Sequence, residues 1–326
     1  MSVKSLFTNA PANTILAPMA GYTDPAFRSI CRDFGVGLTV TEMVSSKAIV
    51  MGNALTKTLL TKFQGDEPSF VQIFGHEPEI MAQSVQIPEI ASYSGVDINM
   101  GCPVKKIVGN GDGSALLENP RLASQCILSV KKAIGAKPLS VKFRLGVSDD
   151  SGAADFAKMC ADSGADFITV HFRTRKQMYS GTANYDTLPQ ISKCGVPVFA
   201  NGDICTYEHY LKLTQMGAFG VAVGRGALGR PYVFSQIANQ PYQMDVEETI
   251  LRHIDLLKTF LPHRVVNNEM KKHVAFYLKG MRGAKQTLTQ VMTSKDVSEI
   301  TQLVHQFFVE NPQFREMISR GGICNG

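Results

Sequence analysis

Val96-Asp97-Ile98-Asn99-Met100-Gly101-Cys102-Pro103 is the stretch on which the fold turns. Val96–Met100 has the length and apolar content of a strand, and the run breaks at Gly101. Pro103 lacks an N–H and prevents Cys102 from continuing a regular paired strand. A thiol therefore stands one residue past a strand end, on a loop bounded by Gly and Pro. A lone Cys is more often a small buried hydrophobe than a reactive group. Where the neighbouring strands end decides between these readings.

Seven further strand candidates share the β-branched content and the Gly, Pro, Asn or Asp boundaries of this one. In order the eight are Ile15–Ala20, Leu38–Met43, Ser69–Phe74, Val96–Met100, Leu139–Arg144, Phe167–His171, Val196–Asn201 and Phe219–Gly224. Most are apolar on both faces, as buried parallel strands are. Helical patterns fall between most of them. Pro25–Phe34 follows Asp24, and Pro120–Ile134 follows Asn119, each with an N-cap residue and Pro at the first helical position. Asp155–Ser163 and Tyr207–Met216 stop at Gly164 and Gly217, suitable C-cap glycines. The stretch from Val44 to Pro68 is longer and mixed. Eight βα units in about 240 residues predict an α/β fold, a (β/α)8 TIM barrel. An open doubly wound sheet would need a topological switch point, and nothing marks one.

After Pro241 the pattern changes. Ile250, Ile254, Leu257 and Leu261 share a helical face; so do Met270, Val274, Tyr277 and Met281, and again Ile300, Val304 and Phe307. No strand signal remains. The expected organisation is a barrel over residues 1–240 and a smaller C-terminal helical bundle over 241–326. Between Lys258 and Lys285 stand Lys258, Arg264, Lys271, Lys272, Lys279, Arg282 and Lys285 against a single acid, Glu269. That run is either a solvated face or a phosphate-backbone contact surface.

Composition narrows the class. The 326 residues are 44% hydrophobic and 19% charged, with a net charge of +5. That charge permits an anionic partner without requiring one. No run of about 18 apolar residues suggests a membrane span. The first ten residues lack a signal peptide's apolar core. The seven cysteines are scattered, with no C-x-x-C pair. This argues against a disulfide framework and a zinc site and for a reducing, cytoplasmic setting.

In a barrel, chemistry sits at the carboxyl ends of the strands. There the chain places Ala17-Pro18-Met19-Ala20-Gly21, Glu42-Met43, Gln72, Asn99 with Cys102 beyond it, Lys142 with Arg144, His171 with Arg173, Asn201-Gly202-Asp203 and Gly224-Arg225-Gly226. Each alone has a bland reading: Gln72 as a core amide, His171 as structural, Asn201-Gly202-Asp203 as a turn. Lys142 is harder to set aside, because a buried ammonium is costly without a nearby anion. Their coincidence at one barrel end favours a site. Gly224-Arg-Gly-Ala-Leu-Gly229 matches G-x-G-x-x-G, but it follows the eighth strand, whereas a Rossmann fingerprint belongs to the first βα turn. It reads instead as the phosphate site of a barrel, with the N–H groups of Gly202, Gly224 and Arg225 and the Arg225 guanidinium as donors. A phosphate site, a Lys, a Gln and a strand-one segment around one cavity suit flavin mononucleotide, with Lys142 near the pyrimidine end of the ring.

At this point the chain resembles the tRNA-dihydrouridine synthases, most closely the bacterial B type. The matching motifs run in order: Ala17-Pro-Met-Ala-Gly21, Thr41-Glu-Met43, Val71-Gln-Ile-Phe-Gly75, Asp97-Ile-Asn-Met-Gly-Cys-Pro103, Val141-Lys-Phe-Arg-Leu-Gly146, His171-Phe-Arg-Thr174, Tyr179-Ser-Gly181, Asn201-Gly-Asp203 and Gly224-Arg225. The resemblance implies FMN-dependent reduction of specific tRNA uridines to 5,6-dihydrouridine, with NADPH as reductant. It implies FMN contacts from Ala17, Pro18, Met19, Gln72, Lys142, His171, Asn201, Gly202, Asp203, Gly224 and Arg225. It makes Cys102 the proton donor to C5, puts Asn99 and Arg173 on the target uracil, and has the helical region grip tRNA. The expected unit is a cytoplasmic monomer without membrane or metal. Two positions depart from the family pattern: Phe172 stands where Gly is usual, and Tyr185 near a common Trp. The rival expectations are an FMN barrel reducing a small molecule such as dihydroorotate, a barrel aldolase or isomerase with Lys142 as a Schiff-base amine, and a flavin-free RNA-binding protein.

Overall fold

The computed structural model describes residues 2–63 and 65–319. The tail from 320 to 326, with Cys324, lies outside the described residues. Eight parallel strands close into one barrel in chain order: β1 (Thr14–Leu16), β2 (Leu38–Ser45), β3 (Ser69–Phe74), β4 (Gly95–Met100), β5 (Leu139–Arg144), β6 (Phe167–His171), β7 (Val198–Asn201) and β8 (Gly220–Val223). The ring closes where β1 pairs with β8. Strands β3, β5 and β6 match the expected spans, whereas β1 stops at Leu16. Pro18 has no N–H for the ladder, and Met19 accepts from the N–H groups of Tyr22 and Thr23, which turns the chain. Asp24 and Asn119 cap their helices by accepting from the N–H groups of Phe27 and Leu122. Gly164 and Gly217 end the Ala153–Asp162 and Tyr207–Gln215 helices at φ +100° and +106°, which glycine adopts without strain.

The period of two along each strand sorts the inward side chains into layers. Rings of Phe70, Phe167 and Phe199 fill the amino-terminal end, with centroid separations of 5.5 and 5.4 Å, and Phe7 closes it 5.1 Å from Phe199. Gly95 and Gly220 make room for this plug. A Cβ at Gly95 would lie 2.3 Å from the Phe70 ring, and one at Gly220 would lie 2.7 Å from Phe199. Two residues further along the same inward rows come Gln72, Asp97, Thr169 and Asn201, and beyond them Asn99 and His171. An aromatic floor thus supports a polar mouth.

Beyond the barrel, helices Val246–Lys258, His263–Tyr277, Ala284–Thr293 and Val297–Glu310 share a second core that includes Ala26 of the first barrel helix. The expectation of helices alone after Pro241 needs correction. Tyr242–Asp245 pairs antiparallel with Glu316–Ser319. Four residues are too short to show alternation, and the partner lies at the far end of the region. Ion pairs from Arg315 to Asp245 (2.8 Å) and Glu247 (3.4 Å) fasten this ribbon.

The seam between barrel and helices is close. Asp24 Oδ2 lies 3.1 Å from His273 Nε2 and 3.6 Å from His253 Nε2, all buried. Burial alone would raise the Asp24 pKa, but the two imidazoles reverse this and hold it well below the usual carboxylate range. The three could in principle ligate a metal ion. His273 Nδ1, however, has no hydrogen-bond partner, whereas a metal-bound imidazole ordinarily anchors its second nitrogen. The arrangement works as a hydrogen-bonded latch. Gly229, last glycine of the G-x-G-x-x-G run, completes the seam at φ +69°. A Cβ there would meet Phe276 O at 2.2 Å and Tyr277 N at 2.7 Å. Gly229→Ala is therefore expected to destabilise the protein by about 2 to 4 kcal/mol, combining overpacking with a disfavoured φ. Denaturant unfolding checks this, and unchanged stability would contradict so close an approach.

Candidate active site

The register brings the polar strand ends to one level. Gln72 stands beside Asp97, Asn99 beside Lys142, and His171 beside both Arg144 and Asn201. A hydrogen-bonded chain runs up the barrel interior from a buried carboxylate. Ser140 Oγ donates to Asp97 Oδ1 (2.5 Å) and Gln72 Nε2 donates to Asp97 Oδ2 (2.6 Å). Asn99 Nδ2 donates to Gln72 Oε1 (2.8 Å). Asn99 Oδ1 then accepts from the N–H groups of Gly101 (3.1 Å) and Cys102 (2.9 Å). Burial raises Asp97 to about pKa 6, against the lowering effect of Ser140 and Gln72. Asn99 thus has a definite local task, because its carbonyl holds the backbone of the Cys102 loop.

Three other contacts fix that loop. Ser114 donates from N (3.1 Å) and Oγ (2.8 Å) to Cys102 O. Arg144 Nε donates to Gly101 O at 2.8 Å, while its Nη1 donates to Thr174 O and Met178 O. The thiol is half-buried. Burial raises its pKa, and the Val104 backbone, Arg144 and Lys142 offset this only in part. At neutral pH Cys102 therefore carries its proton.

Lys142 reaches across to donate to Asn201 Oδ1 at 3.1 Å, and Asn201 Nδ2 donates to Ala222 O. Burial and the nearby Arg144 lower Lys142 to about 8, so it remains a cation at neutral pH. Burial, reinforced by Lys142 and three arginines, lowers His171 to about 2. Its imidazole stays neutral and cannot serve as the acid near pH 7. Arg173 is buried and spoken for at two nitrogens: Nε donates to Ser180 O, and Nη2 to Gly181 O and Asp203 Oδ2. Its Nη1 is buried without a partner.

The loops after β7 and β8 form the other side of the mouth. Gly202 sits at φ +128°, where a Cβ would lie 2.8 Å from Ala183 Cβ and 3.3 Å from His171. Among the described residues, no hydrogen bond takes the N–H groups of Gly202, Gly224 or Arg225. A Cβ at Gly224 would face Met19 Sδ at 3.5 Å and Ala17 Cβ at 3.9 Å, so the strand-one segment adjoins these loops. The Asp203 carboxylate is occupied by Arg173 and Ala183 N, with Arg225 at 3.8 Å. The Arg225 guanidinium lies 4.9 Å from the centre of the half-exposed Tyr179 ring, and Arg144 lies 5.4 Å from it. Both departures from the family pattern are packed here. Phe172 is buried against Tyr185 with centroids 4.7 Å apart, and the Tyr185 hydroxyl donates to Gly202 O.

These residues fit a flavin mononucleotide. A buried cation, neighbouring amides and free N–H groups in glycine loops are the donors that an anionic ring edge and a phosphate require. Several participants had no assigned role in the sequence reading. Arg144 shares the inward parity of Lys142 two residues away, which was the available signal. Asp97 and Ser140 share that parity with Asn99 and Lys142, but their pairing with each other depends on register between strands. Lys272 stood in the basic run, yet its Nζ donates to Gly21 O at 3.0 Å, at the barrel mouth.

A closed parallel barrel with polar side chains converging on a protonated thiol at its carboxyl end defines a TIM-barrel enzyme. The family model described as dihydrouridine synthase (Dus) matches residues 15–311, and the chain belongs to that family of oxidoreductases. It is 34% identical over 313 residues to the tRNA-dihydrouridine synthase B of Pseudomonas aeruginosa, covering 92% of this chain and 94% of that protein. It is 34% identical over 311 residues to a probable tRNA-dihydrouridine synthase of Rickettsia prowazekii, covering 91% and 95%. Among solved structures, a variant of NCR from Zymomonas mobilis aligns with a TM-score of 0.50 at 19% identity, covering 73% of this chain and 90% of that one. Morphinone reductase aligns with a TM-score of 0.50 at 11% identity, covering 69% and 85%; at such identities the likeness concerns the fold.

The state of Cys102 can be measured directly. Its rate of alkylation, followed on its own peptide, is expected to rise with pH through an inflection above that of an ordinary free thiol. An inflection near or below pH 7 would show a thiolate and exclude the protonated resting state.

Proposed function

We propose that this protein reduces uridines of tRNA to 5,6-dihydrouridine, with FMN as bound cofactor and NADPH as reductant. Residues 1–240 carry the chemistry and 241–326 grip the RNA. Membership of the dihydrouridine synthase family supports the reaction, and the names of the two relatives support tRNA as substrate. The carrying observation is the half-buried Cys102, its backbone N–H held by Asn99 at the barrel end where Lys142, Asn201, Gly202 and Gly224 converge.

When bound, FMN reduced by NADPH would supply a hydride for uracil C6. Lys142 and Gln72 would face the flavin ring, with Ala17, Pro18 and Met19 lining one side of it. His171, Asn201 and Asp203 would complete the cradle, and the N–H groups of Gly202, Gly224 and Arg225 would hold the phosphate. Cys102 acts as general acid: its S–H bond breaks as the proton moves to C5, leaving a thiolate that water reprotonates. Positioned general acids contribute about 10²- to 10⁴-fold. Uracil cannot be reached inside a stacked helix, so the base must leave the stack. The unpaired Nη1 of Arg173 is the donor left to meet it; Asn99 Nδ2, on Gln72 Oε1 and Met43 Sδ, would exchange the weak sulfur contact for a uracil carbonyl.

Arg264, Lys279, Arg282 and Lys285 are exposed on the helical region. They suit phosphate contacts, whereas a barrel acting on a small molecule would leave them without a role. No helix among the described residues is long and apolar enough to cross a membrane.

Cys102→Ala is expected to keep FMN and its reduction by NADPH, while dihydrouridine formation falls about 10²- to 10⁴-fold. Dihydrouridine mapping on tRNA from cells lacking the protein, complemented by wild type or by this variant, supplies the readout. Full turnover by Cys102→Ala would remove the thiol from the mechanism. A tRNA map unchanged by the deletion, with no redundant enzyme present, would reject the function.

A further inference from the structure

The peptide at Gly21 is held from two sides. On the barrel side, its N–H donates to Glu42 Oε2 at 2.5 Å. On the helical side, its carbonyl accepts from Lys272 Nζ at 3.0 Å. The Lys272 bond is charge-assisted, the stronger kind, and the Glu42 bond is so whenever Glu42 is ionised. Gly21 sits at φ +79°, and a Cβ there would come within 3.3 Å of Lys272 Nζ. Lys272 is further fixed by Glu269 at 2.5 Å and lies 5.6 Å from the centre of the Tyr22 ring. The next residue, His273, is latched to Asp24. Lys272 therefore belongs to a rigid seam, unlike the exposed Lys279 and Lys285 of the same basic run. The acids that meet the Lys272 ammonium are Glu269 and Glu42. Burial pushes Glu42 up to about 7, with Asp24 and Glu269 adding to the rise and the Gly21 N–H and Lys272 opposing it.

Gly21 ends the segment that begins at Ala17 and adjoins Gly224. We propose that Glu42 and Lys272 are positioning residues that clamp the Gly21 peptide and thereby shape the Ala17–Gly21 wall of the cofactor site. The His263–Tyr277 helix then contributes to flavin binding as well as to the RNA-gripping region. This rests on the FMN reading above. It removes Lys272 from the set of phosphate contacts, in which Arg264, Lys279, Arg282 and Lys285 remain.

The test separates the two roles by leaving tRNA out. Apo-protein is titrated with FMN, and the affinity and visible flavin spectrum are recorded for wild type, Lys272→Met, Lys272→Arg, Glu42→Ala, Glu42→Gln and Lys279→Met. Salt-dependent tRNA binding is measured on the same set. Lys272→Met and Glu42→Ala are expected to weaken FMN binding on the order of tenfold and to shift the flavin band, as loss of a hydrogen bond that holds the wall would. Lys272→Arg and Glu42→Gln, which keep the donor and the acceptor, should recover most of the loss. Lys279→Met should leave FMN untouched and reduce the tRNA salt slope by about one. The proposal is overturned if Lys272→Met binds FMN as wild type does while its tRNA salt slope falls. It is equally overturned if Glu42→Gln is as impaired as Glu42→Ala. A wild-type protein that takes up no FMN would instead overturn the flavin reading itself.

Discussion

The site depends on one buried carboxylate. Asp97 sits inside the barrel, where an unpaired charge would be costly. Ser140 and Gln72 satisfy it, and Gln72 orients Asn99, whose carbonyl ties down the backbone of the Cys102 loop. A thiol at a strand end would otherwise swing with its loop. Here a relay of amides anchored in the core fixes the backbone beneath it. Three strands contribute to the relay, so it exists only when β3, β4 and β5 are in register.

Beneath this relay is the aromatic floor. Phe70, Phe167 and Phe199 fill the amino-terminal half of the barrel interior, and Gly95 and Gly220 admit their rings. Polar groups are therefore confined to the carboxyl half of the same inward rows. The electrostatic consequences differ from residue to residue. Lys142 keeps its charge, His171 loses the ability to acquire one, and Cys102 keeps its proton. These outcomes distribute the work: a fixed cation, a neutral hydrogen-bonding ring and a proton donor, all from side chains at one barrel end.

Much of this was legible along the chain, for stated reasons. Strands β3, β5 and β6 are β-branched runs with clear boundaries, and their spans follow from period and punctuation. The caps at Asp24 and Asn119 depend only on local chemistry and form as their sequences suggest. Features that depend on distant partners were not legible. The ribbon of Tyr242–Asp245 with Glu316–Ser319 joins two four-residue pieces too short to carry a pattern. The early end of β1 reflects a turn closed by Met19, where apolar character alone suggested a longer strand. The glycine run 224–229 carried a misleading dinucleotide-binding pattern. Its last glycine serves the approach of the Phe276 backbone, which no local reading reveals.

Residue types and their order determined the eight strands, the helical region and the set of polar residues at the strand ends, because periodicity and turn chemistry act over a few residues. Tertiary structure decided what each polar residue does. Asn99 and Arg173 looked alike as candidates for the substrate, yet their hydrogen bonds differ. Asn99 has become a brace for Cys102, and Arg173 is locked by Asp203 with a single nitrogen left unpaired. Lys272 looked like one of seven equivalent basic residues, and the packing of its helix against the first barrel loop turned it toward Gly21. Charge and hydrogen-bonding capacity are properties of the side chain, but partners and burial are supplied by segments far away in sequence. Only the folded chain brings those segments within a few ångströms.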